Sequence, residues 1–520
     1  MASDVTSRTE KASKNSFTGI IQKLVSLLLP FVVRTVLIKK LGIEYLGLNS
    51  LFSSILQVLS LSELGFATAI TFNLYKPIAE NNHEKICALL NVIKKIYHIV
   101  GLVILVVGLA IMPFLPHLIE GSYPSDVNLY LLYLIFLFNT VISYFLSAHM
   151  GVVLNAYQRS DIENIIFLIC NSLYCGLQIA VLFISTNYYL YIILLPLSTI
   201  VINIVRAIVV NKKYPNLKPC GTINRETKKE ISQQVKSLIG HKISGIVVSS
   251  TDSIIVSAFL GLGVLAIYNN YFYVMSAIMA IINVVYVSIT ASIGDSIISS
   301  DQEKIYKDFK TINFANVWLV GWCSICLLCL YQHFMRLWVG VDLMLPFFTV
   351  ILLVVYFYTW KFRDMVNVYK DATGNWTMDF WKPYVVAISN IVLDLILINY
   401  LGVNGVLWAT IISVPVISFP WEVAVMFKHV FKRSPLMYCV KMLLYTLVTM
   451  GTGALTYFVC ELLPNEGILN FIYKGLICLI LPNIIFFASS FYLDEFKHAK
   501  SKVFFIVKKV FHKDKNIVNE

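Results

Sequence analysis

Long apolar runs broken by short polar turns dominate the chain. Ile165 to Val205 and Ser253 to Gly294 contain no Asp, Glu, Lys or Arg, and each is long enough for two membrane spans at about 20 residues per span. A soluble core would require alternating polar faces, which these runs lack. The pattern predicts fourteen helices, over residues 17–38, 46–74, 92–115, 127–150, 162–184, 188–210, 238–260, 265–293, 312–334, 344–366, 381–400, 404–427, 439–461 and 468–491. The expected fold is an all-α polytopic membrane protein, and an even number of spans places both termini on one side.

Loop charge supports that count. Arg8, Lys11 and Lys14 precede the first span; Lys76 and Lys85, Arg159, the group from Lys212 to Lys236, Lys304 to Lys310, Lys370, and Lys428, Lys432 and Arg433 fall in alternate connections; a basic tail runs from Lys497 to Lys515. The intervening segments 116–126, 185–188, 261–264, 400–404 and 462–467 have no Lys or Arg. Cytoplasmic connections carry the excess of Lys and Arg, so both termini are expected in the cytoplasm; the resemblance described below implies that the membrane is the bacterial cytoplasmic (inner) membrane. Lys39, Lys40 and Arg336 are the exceptions.

Composition adds little that the pattern does not show. Of 520 residues, 58% are hydrophobic and 13% charged, against about a quarter charged in a soluble domain. The net charge of +12 would suggest nucleic acid in a soluble protein, but here it marks topology, and no nucleic-acid partner is expected. Met1 to Ser16 is polar and lacks the apolar core and small-residue site of a cleavable signal, so the first helix is expected to be retained. Of the ten cysteines, Cys170, Cys175, Cys323, Cys326, Cys329 and Cys478 lie in apolar runs and read as packing thiols. The spacing of Cys323 and Cys326 is that of a redox motif, without the strand-to-helix context such a motif needs.

Sliding the chain by 219 residues pairs Lys23 with Lys242, Leu41-Gly42 with Leu260-Gly261, and Leu46-Gly47-Leu48 with Leu265-Ala266-Ile267. A shift of 212 pairs Tyr144 with Tyr356, Asn155 with Asn367 and Tyr157 with Tyr369. Six helices thus repeat as six. The expected division is a cytoplasmic N-terminus (1–16), an N-lobe (17–210), a cytoplasmic linker with turn-forming residues (211–237), a C-lobe (238–427), a further helix pair (428–493) and a basic tail (494–520). An even repeat gives both lobes one orientation, with a binding site expected between them.

Charged residues inside spans are costly in lipid and mark functional sites. Lys23 and Arg34 are eleven residues apart, on one helix face and roughly 16 Å apart along the axis. His241 and Asp252 share that spacing. Snorkelling to the interfaces is the competing account of Lys23, Lys242 and Arg34. Asp252 has no short route to water and is expected to face a cavity, with Arg34 or Lys242 as partner, either as a structural ion pair or as a coupling group. Glu63, Asp394 and Glu422 are further acidic residues in spans that could bind a proton or Na⁺. Tyr356, Trp360, Arg363 and Asn367 form a stripe that could line a polar path or serve as an interface belt. Arg206 reads as an interface anchor. No phosphate-binding glycine loop, no His-Glu-x-x-His and no aqueous domain is visible, so no catalytic residue or metal ligand is assigned and transport is the expectation.

Several of these segments resemble the Wzx-type polysaccharide flippases of the multidrug/oligosaccharidyl-lipid/polysaccharide exporter superfamily. The resemblance is carried by Leu41-Gly42 with Leu46-Gly47-Leu48, by Leu61-Ser62-Glu63-Leu64-Gly65-Phe66 with Ala69-Ile70, and by Thr251-Asp252-Ser253-Ile254-Ile255 before Leu260-Gly261. Gly402-Val403-Asn404-Gly405-Val406 with Thr410, and Arg363 with the segment from Tyr369 to Gly374 leading into Asn390, are similar too. It implies two pseudo-symmetric six-helix lobes plus a C-terminal pair, as in multidrug and toxin extrusion (MATE) transporters. It also implies alternating access that moves an undecaprenyl-pyrophosphate-linked oligosaccharide to the outer leaflet, for capsule, O-antigen or exopolysaccharide synthesis. Lys23, Arg34, Lys242 and Arg363 fit a cationic cavity for the pyrophosphate, and Asp252, Glu63 and Asp394 fit coupling to H⁺ or Na⁺ in antiport. Implied partners are the lipid-linked oligosaccharide, membrane lipids, a polysaccharide polymerase and glycosyltransferases. Competing readings are a lipid II flippase, a cation-coupled drug exporter, and a membrane glycosyltransferase or polymerase, against which the short outer loops speak.

Overall fold

The computed structural model describes residues 2–60, 65–146, 149–373 and 376–501. Among the described residues every regular element is helical. In chain order they are α1 (Ala2–Lys40), α2 (Ile43–Leu59), α3 (Phe66–Ala79), α4 (His83–Ile111), α5 (Leu129–Phe145), α6 (His149–Ala156), α7 (Ser160–Ile184), α8 (Tyr188–Ile192) and α9 (Leu194–Lys213). There follow α10 (Arg225–Ser299), α11 (Gln302–Val339), α12 (Phe347–Phe362), α13 (Asp364–Thr373), α14 (Lys382–Leu401), α15 (Val403–Ser413), α16 (Phe419–Met426), α17 (Leu436–Glu461) and α18 (Ile468–Ser490). Polar residues in the turns start several of them. The side chains of Asn82, Asn128, Asn187 and Asp301 accept hydrogen bonds from the first-turn amides of α4, α5, α8 and α11, which satisfies donors that a helix start leaves open.

Among the described residues ten helices are long and apolar enough to cross a membrane, or eleven if the bent pair α5 and α6 is one span; the protein is a multi-pass membrane protein. That count takes as one, or leaves out, three segments in which the expected spans fall on broken helices. The expected span 46–74 falls on two shorter helices, α2 and α3. The span 344–366 stops at Phe362, and Asp364 opens a second short helix. The spans 238–260 and 265–293 lie on either side of Gly261, whose non-helical backbone divides α10 into two helices joined at a kink.

That kink shows how the sequence shapes the backbone. Gly261 has φ 84° and ψ 174°, a conformation in which a Cβ would stand 2.8 Å from the carbonyl oxygen of Glu120. A non-helical Gly261 leaves the Ser257 carbonyl without its intrahelical donor, and the Glu120 amide donates to it at 2.9 Å, so the open acceptor is satisfied. Gly42, its partner in the 219-residue repeat, has φ 120° and ψ 171°. The paired glycines share one backbone conformation, which only glycine adopts without strain.

The chain forms two compact units, Met1–Asn269 with Asn390–Val403, and Asn270–Ser389 with Asn404–Glu520. The sequence-based linker at 211–237 lies inside the first. In that unit α1 packs along α7, α4 packs against α3 and α5, and α9 against α5 and α7. Gly47 brings α2 so close to Leu262 that a Cβ would stand 2.4 Å from the Leu262 carbonyl oxygen. In the second unit α11 is the central helix, with α12, α17 and α18 against it. An aromatic group of Phe309, Phe427, Phe431 and Tyr438 forms part of that core.

Candidate functional site

In the first unit the apolar helices bring two carboxyl groups together. Asp252 on α10 and Asp394 on α14 are 1% and 0% exposed, and their carboxyls lie against each other. Neither residue takes part in an ion pair or a hydrogen bond with any other described residue. Two ionised carboxylates are acceptors only and cannot satisfy one another; a proton on either lets it donate to the other. Asn390, one turn before Asp394 on the same face of α14, is also fully buried. About one turn from the two aspartates, Ile255 and Val256 on α10 and Ile398 on α14 are also buried.

Of the expected partners of Asp252, Arg34 is not the group it faces, which is the Asp394 carboxyl; the Lys242 alternative falls on a side chain outside the described residues. Arg34, half-buried on α1, donates from a guanidinium nitrogen to the Asn269 carbonyl at 3.0 Å. Lys23 is partly exposed on the same helix. The side chain of Lys242, that of His241, and all of Glu63 lie outside the described residues.

In the second unit the acidic and basic residues are paired in a chain. Arg363, at the turn between α12 and α13, donates to Ser418 at 2.9 Å and to the Glu422 carboxylate. Lys382 reaches Glu422 at 2.6 Å and Asp379 at 3.1 Å, and Lys370 reaches Asp379 at 2.8 Å. All five charged groups are buried. Three cations and two anions leave the network one positive charge in excess when all are ionised. Ser418 ends the π-helical segment Val414–Ser418, and its hydroxyl donates to Glu422 four residues on, at 2.9 Å. Beside this network the Lys361 ammonium is held by Asn283 and Asp364, each at 2.7 Å.

Arg363 is thus buried and committed to a carboxylate, 5.2 Å from the Trp360 ring centroid. Tyr356 stacks on that same Trp360 ring, so the expected stripe is real as packing. The structure does not gather Arg34 and Arg363 in one described unit; each is held separately. Arg206, read as an anchor, forms a bidentate pair with Glu163 and also donates to Asn203 at 3.0 Å. A cavity of about 340 Å³ opens in the second unit among Tyr306, Lys310, Arg433, Tyr438, Lys441 and Glu495; it contains none of the expected site residues.

The sequence missed Lys382, Asp379 and Lys474 as buried charges. Lys474 is fully buried on α18, where its ammonium reaches Asn465 at 2.5 Å and Glu461 at 3.7 Å. A lysine in the middle of an otherwise apolar span was the available signal. For the carboxyl pair the signal was the four-residue spacing of Asn390 and Asp394, which sets both on one face of α14.

The fold is shared with solved transporters. A structure titled lipid II flippase MurJ, inward closed conformation, is 17% identical over 92% of this chain and 98% of its own, with a TM-score of 0.65. An inward-facing multidrug resistance MATE family transporter of the MOP superfamily is 14% identical over 78% and 94%, with a TM-score of 0.61. An outward-facing conformation of such a transporter gives 15% identity, 80% and 95% coverage, and a TM-score of 0.54. No curated protein sequence matches the chain. The family model described as polysaccharide biosynthesis protein matches residues 12–291, more than half of the chain, and with the helical architecture above this makes the protein a member of that family.

Proposed function

We propose that the protein is a flippase that moves an undecaprenyl-pyrophosphate-linked oligosaccharide from the inner to the outer leaflet of a bacterial cytoplasmic membrane, by alternating access of two pseudo-symmetric lobes. The observation that carries this reading is the polysaccharide biosynthesis family match over 12–291, on a chain whose fold is that of transporters. Charge chemistry agrees with it. A pyrophosphate drawn through an apolar protein needs fixed cations, and Arg34 and Lys23 present them from one face of α1. Arg363 belongs to the same role only through exchange of Glu422 for a substrate phosphate, since its guanidinium is already engaged.

The carboxyl pair supplies the coupling. Among the described residues Asp252 and Asp394 have no cation paired with them, so holding both as bare anions in this buried setting is costly. A single proton or a monovalent cation such as Na⁺ between them removes that cost. Loss of that ion on one side of the membrane, and regain on the other, ties ion movement to the change of state. Glu63 is a further candidate for that role by its residue type alone.

A lipid II flippase is the second reading, favoured by the likeness to MurJ over 92% of the chain. Depletion of the protein in its own cells separates the two. Oligosaccharide-linked lipid should accumulate in the inner leaflet while wall synthesis continues; build-up of lipid II instead would favour the second reading, and build-up of neither would overturn both.

A further inference from the structure

Four of the ten cysteines converge in the second unit. Cys326 and Cys329 lie three residues apart on one face of α11, Cys460 near the end of α17, and Cys478 in α18. The Sγ atoms of Cys329, Cys460 and Cys478, all buried, lie within 4.8 Å of one another, and those of Cys460 and Cys478 are 3.9 Å apart. Cys326, one turn before Cys329 on α11, packs against this cluster and offers a fourth thiol. A tetrahedron of thiolates with metal–sulfur bonds of about 2.3 Å sets neighbouring sulfurs about 3.8 Å apart. The spacing here needs only small side-chain adjustments to meet it.

Packing alone accounts for buried cysteines, but not for this arrangement. A thiol filling space has no reason to turn toward other thiols, and here three helices aim sulfur at one point inside a shell that includes Ile325 and Phe486. A second feature points to a charged occupant. Lys474, one turn before Cys478 on α18, is fully buried, and its ammonium reaches Glu461, the residue after Cys460, at 3.7 Å. A fixed cation offsets the negative charge that thiolates would bring into an apolar core.

We propose that Cys326, Cys329, Cys460 and Cys478 form a thiolate site for a soft metal ion, Zn²⁺ or Cu⁺, which ties α17 and α18 to α11. Soft sulfur ligands select these ions over Mg²⁺ or Ca²⁺. On binding, each coordinating thiol passes its proton to solvent and its sulfur takes up the metal; no electron is transferred. The site would fasten the C-terminal helix pair to the central helix of its unit, a role independent of the transport reading.

The test uses the full chain, purified in detergent with its thiols reduced. Elemental analysis should find zinc or copper, and which of them is present identifies the natural ion. Cd²⁺ titration of metal-stripped protein should give a thiolate-to-metal charge-transfer band that saturates at about one ion per chain. Cys460→Ser and Cys478→Ser should each weaken Cd²⁺ binding roughly tenfold or more, whereas Cys439→Ser, elsewhere on α17, should leave it unchanged. Should the serine variants fail to fold, thermal unfolding of the wild-type chain decides, because a chelator should lower its midpoint. Absence of a charge-transfer band, an equal loss in Cys439→Ser, or a midpoint indifferent to chelator would each overturn the site.

Discussion

Asp252 and Asp394 place their carboxyls against each other from two helices, with no cation and no other hydrogen-bond partner among the described residues. Asparagine keeps the shape of either side chain and supplies a permanent donor. Asp252→Asn and Asp394→Asn should therefore leave the protein folded and in the membrane while transport loses its dependence on the ion gradient. We expect the gradient-driven rate to fall roughly tenfold, within the range of coupling energies between linked sites. Gradient-driven and gradient-free rates in reconstituted vesicles check this, and an unchanged gradient dependence in both variants would remove the pair from coupling.

Arg363 and Glu422 set up a different expectation, because theirs is a buried pair inside a longer network. Removing one partner leaves an uncompensated charge, so Arg363→Ala or Glu422→Ala should cost about 3–5 kcal/mol. Replacing both by apolar residues of similar volume, Arg363→Met with Glu422→Leu, should cost less than either single change. Thermal unfolding in detergent measures all three. If transport fails in the double variant while stability is kept, the exchange of Glu422 for substrate at Arg363 gains support.

Gly261 and Gly47 predict stability effects of separate origin. Gly261→Ala is strained by its positive φ and meets the Glu120 carbonyl oxygen, at a cost of about 1–3 kcal/mol. Gly47→Ala has no such φ, but its Cβ would stand 2.4 Å from a backbone atom, so α2 must move away from Leu262. Gly245→Ala, with nothing within 4 Å of its Cβ, is the control and should be neutral or mildly stabilising. Unfolding midpoints of the three variants test the ranking.

Arg34 and Lys23 separate charge from geometry. Arg34→Lys keeps the charge but loses the fork that grips phosphate oxygens, so it should retain a small part of the transport rate, while Arg34→Ala should lose it all. Lys23→Ala should weaken transport less, being more open to water. Export assays alongside membrane-fraction blots distinguish lost function from lost protein.

Much of the fold was legible because lipid imposes one rule on every span. Apolar runs of span length, with basic residues in alternate connections, showed a helical membrane protein directly. The break at Gly261 was legible, falling between the expected spans 238–260 and 265–293, whereas the stop at Phe362 was not, because it depends on local backbone conformation. Repeat matching did find one of these features, pairing Gly42 with Gly261 before their shared backbone geometry was known. Site residues were legible one by one but not in pairs. Asp252 and Asp394 are separated by 142 positions, and nothing local in either helix says that the other faces it. Lys370 looked like a loop charge, and Asp379 and Lys382 drew no reading at all, whereas tertiary packing buries all three. The cysteines looked like packing residues because each sits in an apolar run, and only helix packing brings their sulfurs together.

The most direct test of the flippase reading is outward movement of a fluorescent undecaprenyl-pyrophosphate oligosaccharide in vesicles containing the purified protein. The fraction of label reached by an impermeant quencher is followed after an H⁺ or Na⁺ gradient is imposed. The account predicts movement that depends on the protein and on one of the gradients and is lost in the Arg34→Ala variant. Equal movement in protein-free vesicles, or in vesicles carrying that variant, would contradict it.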